Sequence, residues 1–399
     1  MSPSAPGPLD GVRILDLTRL LPGAYATLLM ADLGADVVKI EDPRGGDPAR
    51  AMPPIARGTS AFFQVLNRNK RSVTLDLRSG EAAAVLDALL TCTDVVVDSF
   101  RPQTARRLGV DAPTLRARHP RLVCGSITGF GQTGPYVERA AHDINYEALA
   151  GLLIATRERG QPPEAPRTLI ADIGAAMHAA AGILAALFQR ERTGRGAVVD
   201  VAIHEAALSW LQFPGVRQLV PGTDTDVRDL PLSGRDACYN IYRTADDRYL
   251  ALGALEPKFW AAFCARLGRE DLVRLQYAGG DEQARVVAAV RGVMETRTRD
   301  EWLALFNGVD ACLTPVNTVV EALGDPHLAA RGAVTRHDGA TYLTTPIAVT
   351  EPPTGDDGHA ARRIEIRPAP SLGAHTDEVL EDAGIDAGGR AALRARGII

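Results

Sequence analysis

Short apolar runs alternate with longer helical patterns through the first two hundred residues of the 399-residue chain, and this alternation constrains its fold more than any other feature. Strands that alternate with helices favour a parallel α/β sheet, in which ligands bind beyond the carboxyl ends of the strands. We therefore predict a Rossmann-like α/β domain. The predicted strands are Arg13–Leu17, Asp36–Glu41, Ser72–Leu77, Asp94–Asp98 and Leu122–Thr128, and the predicted helices are Ala24–Leu33, Glu81–Leu90 and 173–192.

A change in composition after Leu211 predicts a second, smaller domain. Residues 213–236 are rich in Pro, Gly and Asp, which is typical of a linker. Residues 1–212 then form the first part of the large domain, residues 237–326 a small α+β domain, and residues 327–399 a return linker and the C-terminal part of the large domain. In the small domain we predict a hairpin of Cys238–Arg243 with Arg248–Gly253 and helices near 258–267, 281–294 and 300–306, and in the C-terminal part a last helix at 376–383.

Charge and cysteine content favour a soluble, cytoplasmic protein. The net charge is −5 with no run of Lys or Arg, which argues against partners such as nucleic acid or a membrane surface. The five cysteines are odd in number and show no CxxC spacing, so we interpret them as reduced thiols. The N-terminal residues lack the apolar region of a signal peptide, and we find no apolar run long enough to cross a membrane.

The segment from Gly129 to Gly134 matches GxGxxG and follows a predicted strand, but it does not predict a dinucleotide site. That fingerprint requires a helix that opens inside the motif, whereas Pro135 and a polar stretch follow here. We interpret the segment as a Gly-rich loop at a strand end, where active-site loops lie. The chain has no P-loop, no GxSxG elbow and no His or Cys cluster at metal-ligand spacing, so no metal site is predicted.

Two short segments carry candidate catalytic residues. His142 lies in Ala141–Tyr146, directly after the Gly-rich loop, and Asp172 lies at the start of the predicted long helix. A carboxylate at a helix start is favoured by the helix dipole. From spacing alone, a simpler interpretation is favoured, in which Asp172 is an N-cap and His142 a hydrogen-bonded loop residue.

An ordered set of motifs changes that balance, because nearly the whole chain resembles the family III CoA-transferase superfamily. Each motif is weak alone, but together and in order they are specific. They are Pro8–Leu17, Asp32–Glu41, Asn69–Leu77, Ser99–Pro102, Gly129–Pro135, Thr193–Gly196 and Leu372–Leu380.

Two branches of this family differ in what the resemblance implies for Asp172. In the α-methylacyl-CoA racemase branch the aspartate is an acid/base partnered by a histidine, and Ala141–Tyr146 is similar to the segment that carries that histidine, here His142. Gly253–Pro257 resembles the racemase segment with a supporting glutamate, here Glu256, and the backbone amide of Asp143 would stabilise the enolate. In the transferase branch Asp172 would instead attack the thioester.

Racemisation at C2 of a 2-methylacyl-CoA thioester is therefore the predicted reaction. One acid/base on each face of Cα removes and returns the proton without rotation of the intermediate. Histidine suits this task because it titrates near neutrality, whereas an aspartate needs burial or neighbouring charges to raise its pKa. CoA transfer, acyl-CoA binding without turnover and a redirected enolate reaction are the alternatives.

The resemblance also implies where CoA binds. The expected residues are Leu75, Arg78, Ser99, Phe100, Arg101 and Arg107. The chain departs from the family at Asp42, where related racemases can carry an arginine near the adenine, and Arg44 is expected to compensate. No cofactor is expected beyond the CoA of the substrate. The family forms interlocked homodimers, so Glu256 is expected to come from the partner chain.

Overall fold

A parallel sheet forms the centre of the computed structural model, which describes residues 7–56, 58–157, 161–213, 215, 232–349 and 365–399. The strands in this part of the chain are β1 (Arg13–Asp16), β2 (Asp36–Glu41), β3 (Ile55–Ala56), β4 (Thr59–Ser60), β5 (Lys70–Thr74), β6 (Val95–Asp98), β7 (Val123–Thr128) and β8 (Val198–Ala202). Six of them pair in the order β5-β2-β1-β6-β7-β8. This is a doubly wound order that reverses direction between β1 and β6, which confirms the predicted Rossmann-like fold.

Helices cover both faces of this sheet. They are α1 (Leu20–Asp32), α2 (Ala61–Asn67), α3 (Ala82–Leu90), α4 (Pro102–Leu108), α5 (Ala112–Arg118), α6 (Asp143–Ala150), α7 (Leu152–Ala155), α8 (Ile170–Thr193) and α9 (Ile203–Ser209). Leu15, Val38 and Val96 lie side by side on β1, β2 and β6. They point to one face of the sheet, where they pack with apolar residues of α3, α4 and α5. On the other face, α8 contacts α1, β7 and β8.

Three elements of this part of the chain differ from the sequence analysis. A sixth strand, β8, was missed because Ala202 runs directly into α9 without a turn residue, so the strand and helix share one apolar run. Helix α6 was missed because it is short and only weakly apolar. Helix α8 begins at Ile170 rather than at Ile173, which makes Leu169 its N-cap.

A second compact unit contains an antiparallel sheet. Its strands are β9 (Tyr239–Arg243), β10 (Tyr249–Gly253) and β11 (Leu313–Pro315), and its helices are α10 (Pro257–Leu267), α11 (Gly280–Met294), α12 (Arg299–Leu305) and α13 (Val319–Leu323). The pairing of Tyr242 with Leu250 confirms the predicted hairpin, whereas β11 was not predicted. Trp260, Phe263 and Trp302 form its buried core.

The contacts within the chain divide it into two compact units. One unit comprises Met1–Thr156, Pro163–Trp210 and Pro326–Ile399, and the other Arg157–Pro162 and Leu211–Asp325, apart from the residues that are not described. Most of the linker predicted at 213–236 lies outside the described residues. The C-terminal part contributes α14 (Pro326–Ala330), β12 (Val334–His337), β13 (Ala340–Leu343), α15 (Thr376–Asp382) and α16 (Ala387–Ala395).

Helix α8 is long enough, and one 18-residue window of it apolar enough, to cross a membrane by length and composition alone. The sequence analysis concerned uninterrupted apolar runs, and Asp172 and His178 interrupt this one. Half of that window is buried inside the protein, and core helices of soluble proteins pass the same test. In the part of the chain that the structure describes, α8 is the one helix that meets this length and composition test.

Candidate active site

A cavity of about 260 Å³ lies at the carboxyl edge of the parallel sheet, beside the point where the strand order reverses. The loops after β1, β2, β5 and β6 contribute to its wall, which is where an open α/β sheet binds ligands. Four of the six residues predicted to bind CoA line it, namely Leu75, Arg78, Phe100 and Arg107. An adjacent groove of about 630 Å³ shares Arg78 and Arg107 and adds Arg106.

Buried ion pairs hold the floor of this cavity. Lys39 and Asp47 both line it, are themselves fully or nearly fully buried, and form a salt bridge of 2.9 Å. The Lys39 ammonium also donates to the carbonyl of Thr18 at 2.9 Å. Beneath them, Asp16 accepts hydrogen bonds from Thr18, Thr27 and Lys70, which connects β1 with α1 and β5. Sequence patterns did not single out Lys39, although a lysine between apolar strand residues is a signal of a buried ion pair.

Two arginines give the cavity its unpaired positive charge. Among the described residues, Arg19 and Arg107 have no ion-pair partner, and both line the cavity. Arg19 also lies over the ring of Phe100, 5.5 Å from its centroid. Guanidinium groups beside apolar walls are suited to a phosphorylated ligand with an aromatic ring.

At the mouth of the cavity, Asp42, Arg44, Asp76 and Arg78 form a closed ring of ion pairs. Arg78 contacts Asp42 at 2.5 Å and Asp76 at 3.0 Å, while Arg44 contacts Asp42 at 3.0 Å and Asp76 at 2.8 Å. Arg44 and Arg78 together neutralise the two aspartates. Arg44 itself does not line the cavity, and its compensation for Asp42 near the adenine stays a prediction.

Ser99 and Arg101 do not line the cavity, although both were predicted to bind CoA. The Ser99 hydroxyl accepts a hydrogen bond from the Arg19 amide at 3.1 Å, so it positions the loop after β1. Arg101 is the N-cap of α4, and its charge acts on the hydroxyl of Tyr146 in α6. Arg101 therefore lies on the side of α4 that faces the candidate catalytic residues.

The first turns of α6 and α8 contact each other. His142 is exposed and is the N-cap of α6, where its amide donates to Asn145 Oδ1 at 3.0 Å. The next residue, Asp143, is buried and accepts a hydrogen bond from the Asp172 amide at 3.0 Å. Asp172 is the third residue of α8, so its interpretation as the N-cap was wrong.

The surroundings of Asp172 change its acidity. A carboxylate in the first turn of a helix is normally favoured by the helix dipole, which lowers its pKa. Here burial, followed by the negative charge of Asp143, raises the pKa of Asp172 from 3.8 to about 7. Desolvation and a like charge therefore outweigh the dipole.

Tyr146 fixes the Gly-rich loop against α6. Its hydroxyl donates to the carbonyl of Ala141 at 3.1 Å, and its ring packs edge-on against Phe130. A Cβ on Gly129 would lie 2.3 Å from the Tyr146 hydroxyl, so only glycine fits there. The Gly-rich loop thus places α6 without opening into a helix, which agrees with the rejection of a dinucleotide fingerprint.

Glu147 is a buried residue of this site that the sequence analysis missed. It lies one turn after Asp143 on the same face of α6. Two acidic residues four positions apart on a helix are neighbours, and this spacing was the sequence signal that could have pointed to Glu147. Glu256 lies in the second unit, where it is the exposed N-cap of α10 and makes no capping bond with its side chain. No group of three His, Cys, Asp or Glu residues that could hold a metal ion is found among the described residues.

Comparison with known proteins gives one family. The model of CoA-transferase family III matches residues 9–376. The human alpha-methylacyl-CoA racemase is 31% identical over 94% of this chain and 93% of its own length. An acyl-CoA transferase of Fusarium pseudograminearum is 33% identical over 99% of this chain and 89% of its own length. A CAIB/BAIF family protein from Brucella suis superposes with a TM-score of 0.81 at 29% identity, over 95% of this chain and 100% of that chain.

Replacement of Asp172 by Asn is expected to stabilise the protein more at pH 8 than at pH 5. Because the pKa of Asp172 is about 7 in the folded protein and 3.8 ordinarily, the folded state binds the extra proton between these values. The protonated Asp172 makes its full contribution to stability below pH 4, and this contribution is lost as the pH rises through 7. Thermal unfolding at both pH values measures the difference.

Asp36→Asn provides the contrast for this measurement. Burial would raise the pKa of Asp36, but hydrogen bonds and charges of Arg71 and Arg13 lower it below 3.8. Its stabilising contribution is therefore constant between pH 5 and pH 8, and its loss should lower Tm equally at both. An Asp172→Asn effect that is equally independent of pH would contradict the raised pKa.

Proposed function

The chain belongs to CoA-transferase family III, and from this premise we propose that it catalyses racemisation at C2 of 2-methylacyl-CoA thioesters. The relatives include racemases and CoA-transferases at about the same identity. Both belong to the same superfamily, so the choice between the two reactions is our inference. The observation that carries the inference is the place of Asp172, half-buried in the first turn of α8 with its amide held by the Asp143 carboxylate. This burial, followed by the charge of Asp143, raises its pKa to about 7.

A pKa of about 7 suits proton transfer better than nucleophilic attack. A general acid and base works best when its pKa lies near the operating pH, because both protonation states are then populated. A nucleophilic carboxylate has the opposite requirement, since only the ionised form attacks a thioester. The environment of Asp172 stabilises the protonated form, which supports the acid/base role.

His142 supplies the second acid/base in this proposal. It directly precedes Asp143, whose carboxylate accepts the Asp172 amide, so His142 is next in sequence to the residue that joins the starts of α6 and α8. His142 removes the Cα proton from one face, and Asp172 delivers a proton to the other. In the reverse direction the roles exchange, and the thioester supplies the acidity of Cα.

The enolate that forms between these steps needs hydrogen-bond donors at its oxygen. Asp143 is the first residue of α6, so its amide has no acceptor within the helix. We propose this amide as the donor, as the family resemblance implies. We also keep Glu256 as a supporting carboxylate, and we propose that no cofactor is used beyond the CoA of the substrate.

CoA transfer, with Asp172 as nucleophile, is the second candidate. It is favoured by the family itself and by relatives such as the succinyl-CoA–D-citramalate CoA-transferase of Chloroflexus aurantiacus, which is 31% identical over 99% of this chain and 98% of its own length. In this case a free carboxylic acid is required as acceptor, and an acyl group becomes attached to Asp172.

Proton exchange in deuterated water separates the two reactions. With (2R)- or (2S)-2-methylacyl-CoA and no acceptor acid, we expect deuterium at Cα and convergence to both epimers. His142→Ala and Asp172→Asn should each lower the rate by about two to four orders of magnitude, because each removes one acid/base. Glu256→Gln should cause a smaller loss.

His178→Ala is the matched control for this experiment. His178 is an exposed histidine of α8 whose ring contacts the Gly174 carbonyl, and it should not affect exchange. No exchange in the wild type, with CoA transfer that begins only when an acid is added, would sink the racemase proposal. Trapping of an acylated Asp172 with hydroxylamine would then identify the nucleophile.

Arg107→Ala is expected to weaken CoA binding about tenfold or more, because a charge-assisted hydrogen bond to phosphate is lost. Arg107 lines the cavity and has no ion-pair partner among the described residues. Titration calorimetry with CoA and with adenosine 3′,5′-bisphosphate measures the change. Arg121→Ala is the control, because Arg121 precedes β7 and so lies at the opposite edge of the sheet. Equal affinity of both variants for CoA would contradict the binding of its phosphates in this cavity.

We propose a cytoplasmic homodimer as the working form of the enzyme. Large apolar side chains on α7, α8 and α9 are exposed in the single chain, with Ile154 at 57%, Phe188 at 66% and Leu208 at 51%. Surfaces of this kind mark interfaces between subunits. Light scattering at micromolar concentration should give twice the 42.5 kDa mass of one chain. A monomeric mass would contradict this part of the proposal.

A further inference from the structure

Glu147 is a buried carboxyl group that the two-base reaction does not use. Within the described residues, its Oε1 atom has no hydrogen-bond partner, and the same holds for Oδ2 of Asp143. The two residues are four apart on α6, so they lie on one face of the helix, one turn from each other. The Asp143 carboxyl acts directly on the Glu147 carboxyl and raises its pKa.

Two adjacent carboxylates repel each other, and neither can donate a hydrogen bond. One proton held between them removes the repulsion and gives both orphaned oxygens a partner. A pair of buried acids in contact is thus most stable with a single negative charge.

The same pair caps the helix that carries Asp172. Asp143 Oδ1 accepts the amide of Asp172 at 3.0 Å. The Ile170 amide faces the Glu147 carboxyl and acts to lower its pKa. Leu169, the N-cap of α8, offers no side-chain acceptor. The start of α8 is therefore held from α6 rather than by a cap of its own.

We propose that Asp143 and Glu147 share one proton, and that this carboxyl pair is the positioning element for Asp172. It fixes the start of α8 and sets how many negative charges face the Asp172 carboxyl. Its effect on turnover rests on the proposed function, whereas the shared proton is a property of the folded protein alone.

The charges around the pair are consistent with this assignment. Burial, followed by the contact with Asp143, raises the pKa of Glu147 from 4.5 to about 7, and the negative charge of Asp172 acts in the same direction. The elements packed against α6 carry His178 and Asp172 in the N-terminal half of α8 and His204 and Glu205 in α9. Of these, Asp172 is the group that acts on Glu147.

Loss of the shared proton changes the environment of Asp172. Below pH 7, the pair carries one negative charge, and Asp172 is opposed by that charge alone. Above pH 7, Glu147 ionises and a second negative charge appears beside Asp172, which raises its pKa further. Glu147 thereby keeps Asp172 protonated to higher pH than Asp143 alone would.

Two replacements separate the shared proton from simple packing. Glu147→Gln keeps the shape, the acceptor for the Ile170 amide and a permanent N–H donor toward Asp143, but cannot ionise. Glu147→Leu fills similar volume and removes the acceptor, the donor and the charge. Glu191→Gln, in the exposed last turn of α8, is the matched control.

The first measurement needs no substrate. The free energy of unfolding by urea is determined between pH 5 and 6.5, where its slope gives the difference in bound protons between the folded and unfolded states. In this pH range Glu147 is protonated in the folded protein and ionised in the unfolded chain. Folding of Glu147→Gln should therefore take up about one proton fewer than folding of the wild type, and folding of Glu191→Gln the same number as the wild type. An unchanged proton uptake in Glu147→Gln would overturn the shared proton.

The second measurement is the pH profile of Cα proton exchange. In Glu147→Gln we expect a rate within a few-fold of the wild type below pH 7, with the apparent pKa of the limb due to Asp172 lowered by about one unit. Glu147→Leu should lower kcat with little change in KM. If Gln and Leu gave the same profile, unshifted from the wild type, the positioning role would be overturned. Absence of exchange in the wild type would instead refute the racemase proposal, while the urea result would still decide the shared proton.

Discussion

The ion pair between Lys70 and Asp16, 3.0 Å long and fully buried, joins the parts of the protein that form its ligand cavity. Asp16 ends β1 and accepts hydrogen bonds from Thr18 and Thr27, and the carbonyl of Thr18 in turn holds Lys39 against Asp47. The charges of Lys39 and Lys70 overcome the burial of Asp16 and hold its pKa well below the usual range. A buried ion that loses its partner is strongly destabilising, so these groups must stay together. The loops after β1 and β2 are fixed as a consequence.

The unit that contains the parallel sheet carries two regions of opposite electrostatic character. At the carboxyl edge of the sheet, Arg19 and Arg107 offer positive charge to an anion, while the Asp42–Arg78 ring is neutral overall. At the starts of α6 and α8, carboxyl groups lie close together, and Asp143 raises the pKa of both Glu147 and Asp172. The first arrangement is suited to binding a charged group, and the second to proton transfer. A substrate with a polyanionic handle and a weakly acidic carbon needs both.

Strand ends account for most of what the sequence could predict. Leu75, Arg78, Phe100 and Arg107 line the cavity because they lie just after strands of the sheet, and the carboxyl ends of parallel strands meet at one edge. That they bind CoA stays a prediction. The pairing of His142 with Asp172 came from family motifs rather than from spacing. Lys39, Asp47 and Glu147 were not found, because each is defined by a partner that only the tertiary fold supplies. The start of α8 was misplaced for the same reason, since its caps lie on α6 and no capping residue precedes Ile170 in the sequence.

A fold that serves both racemases and CoA-transferases must separate the two reactions through a few side chains around one aspartate. A nucleophile needs its charge exposed and stabilised, whereas an acid/base needs that charge to be costly enough for a proton to return. Asp172 is half-buried, its amide is held by the Asp143 carboxylate, and the nearest charged groups in α6 are themselves carboxyls. In the described part of the chain, no cation is among the groups that shift the pKa of Asp172, whereas the charge of Arg101 acts on Tyr146. The balance of charge around Asp172, more than its position in the fold, therefore favours the proton-transfer branch of the family.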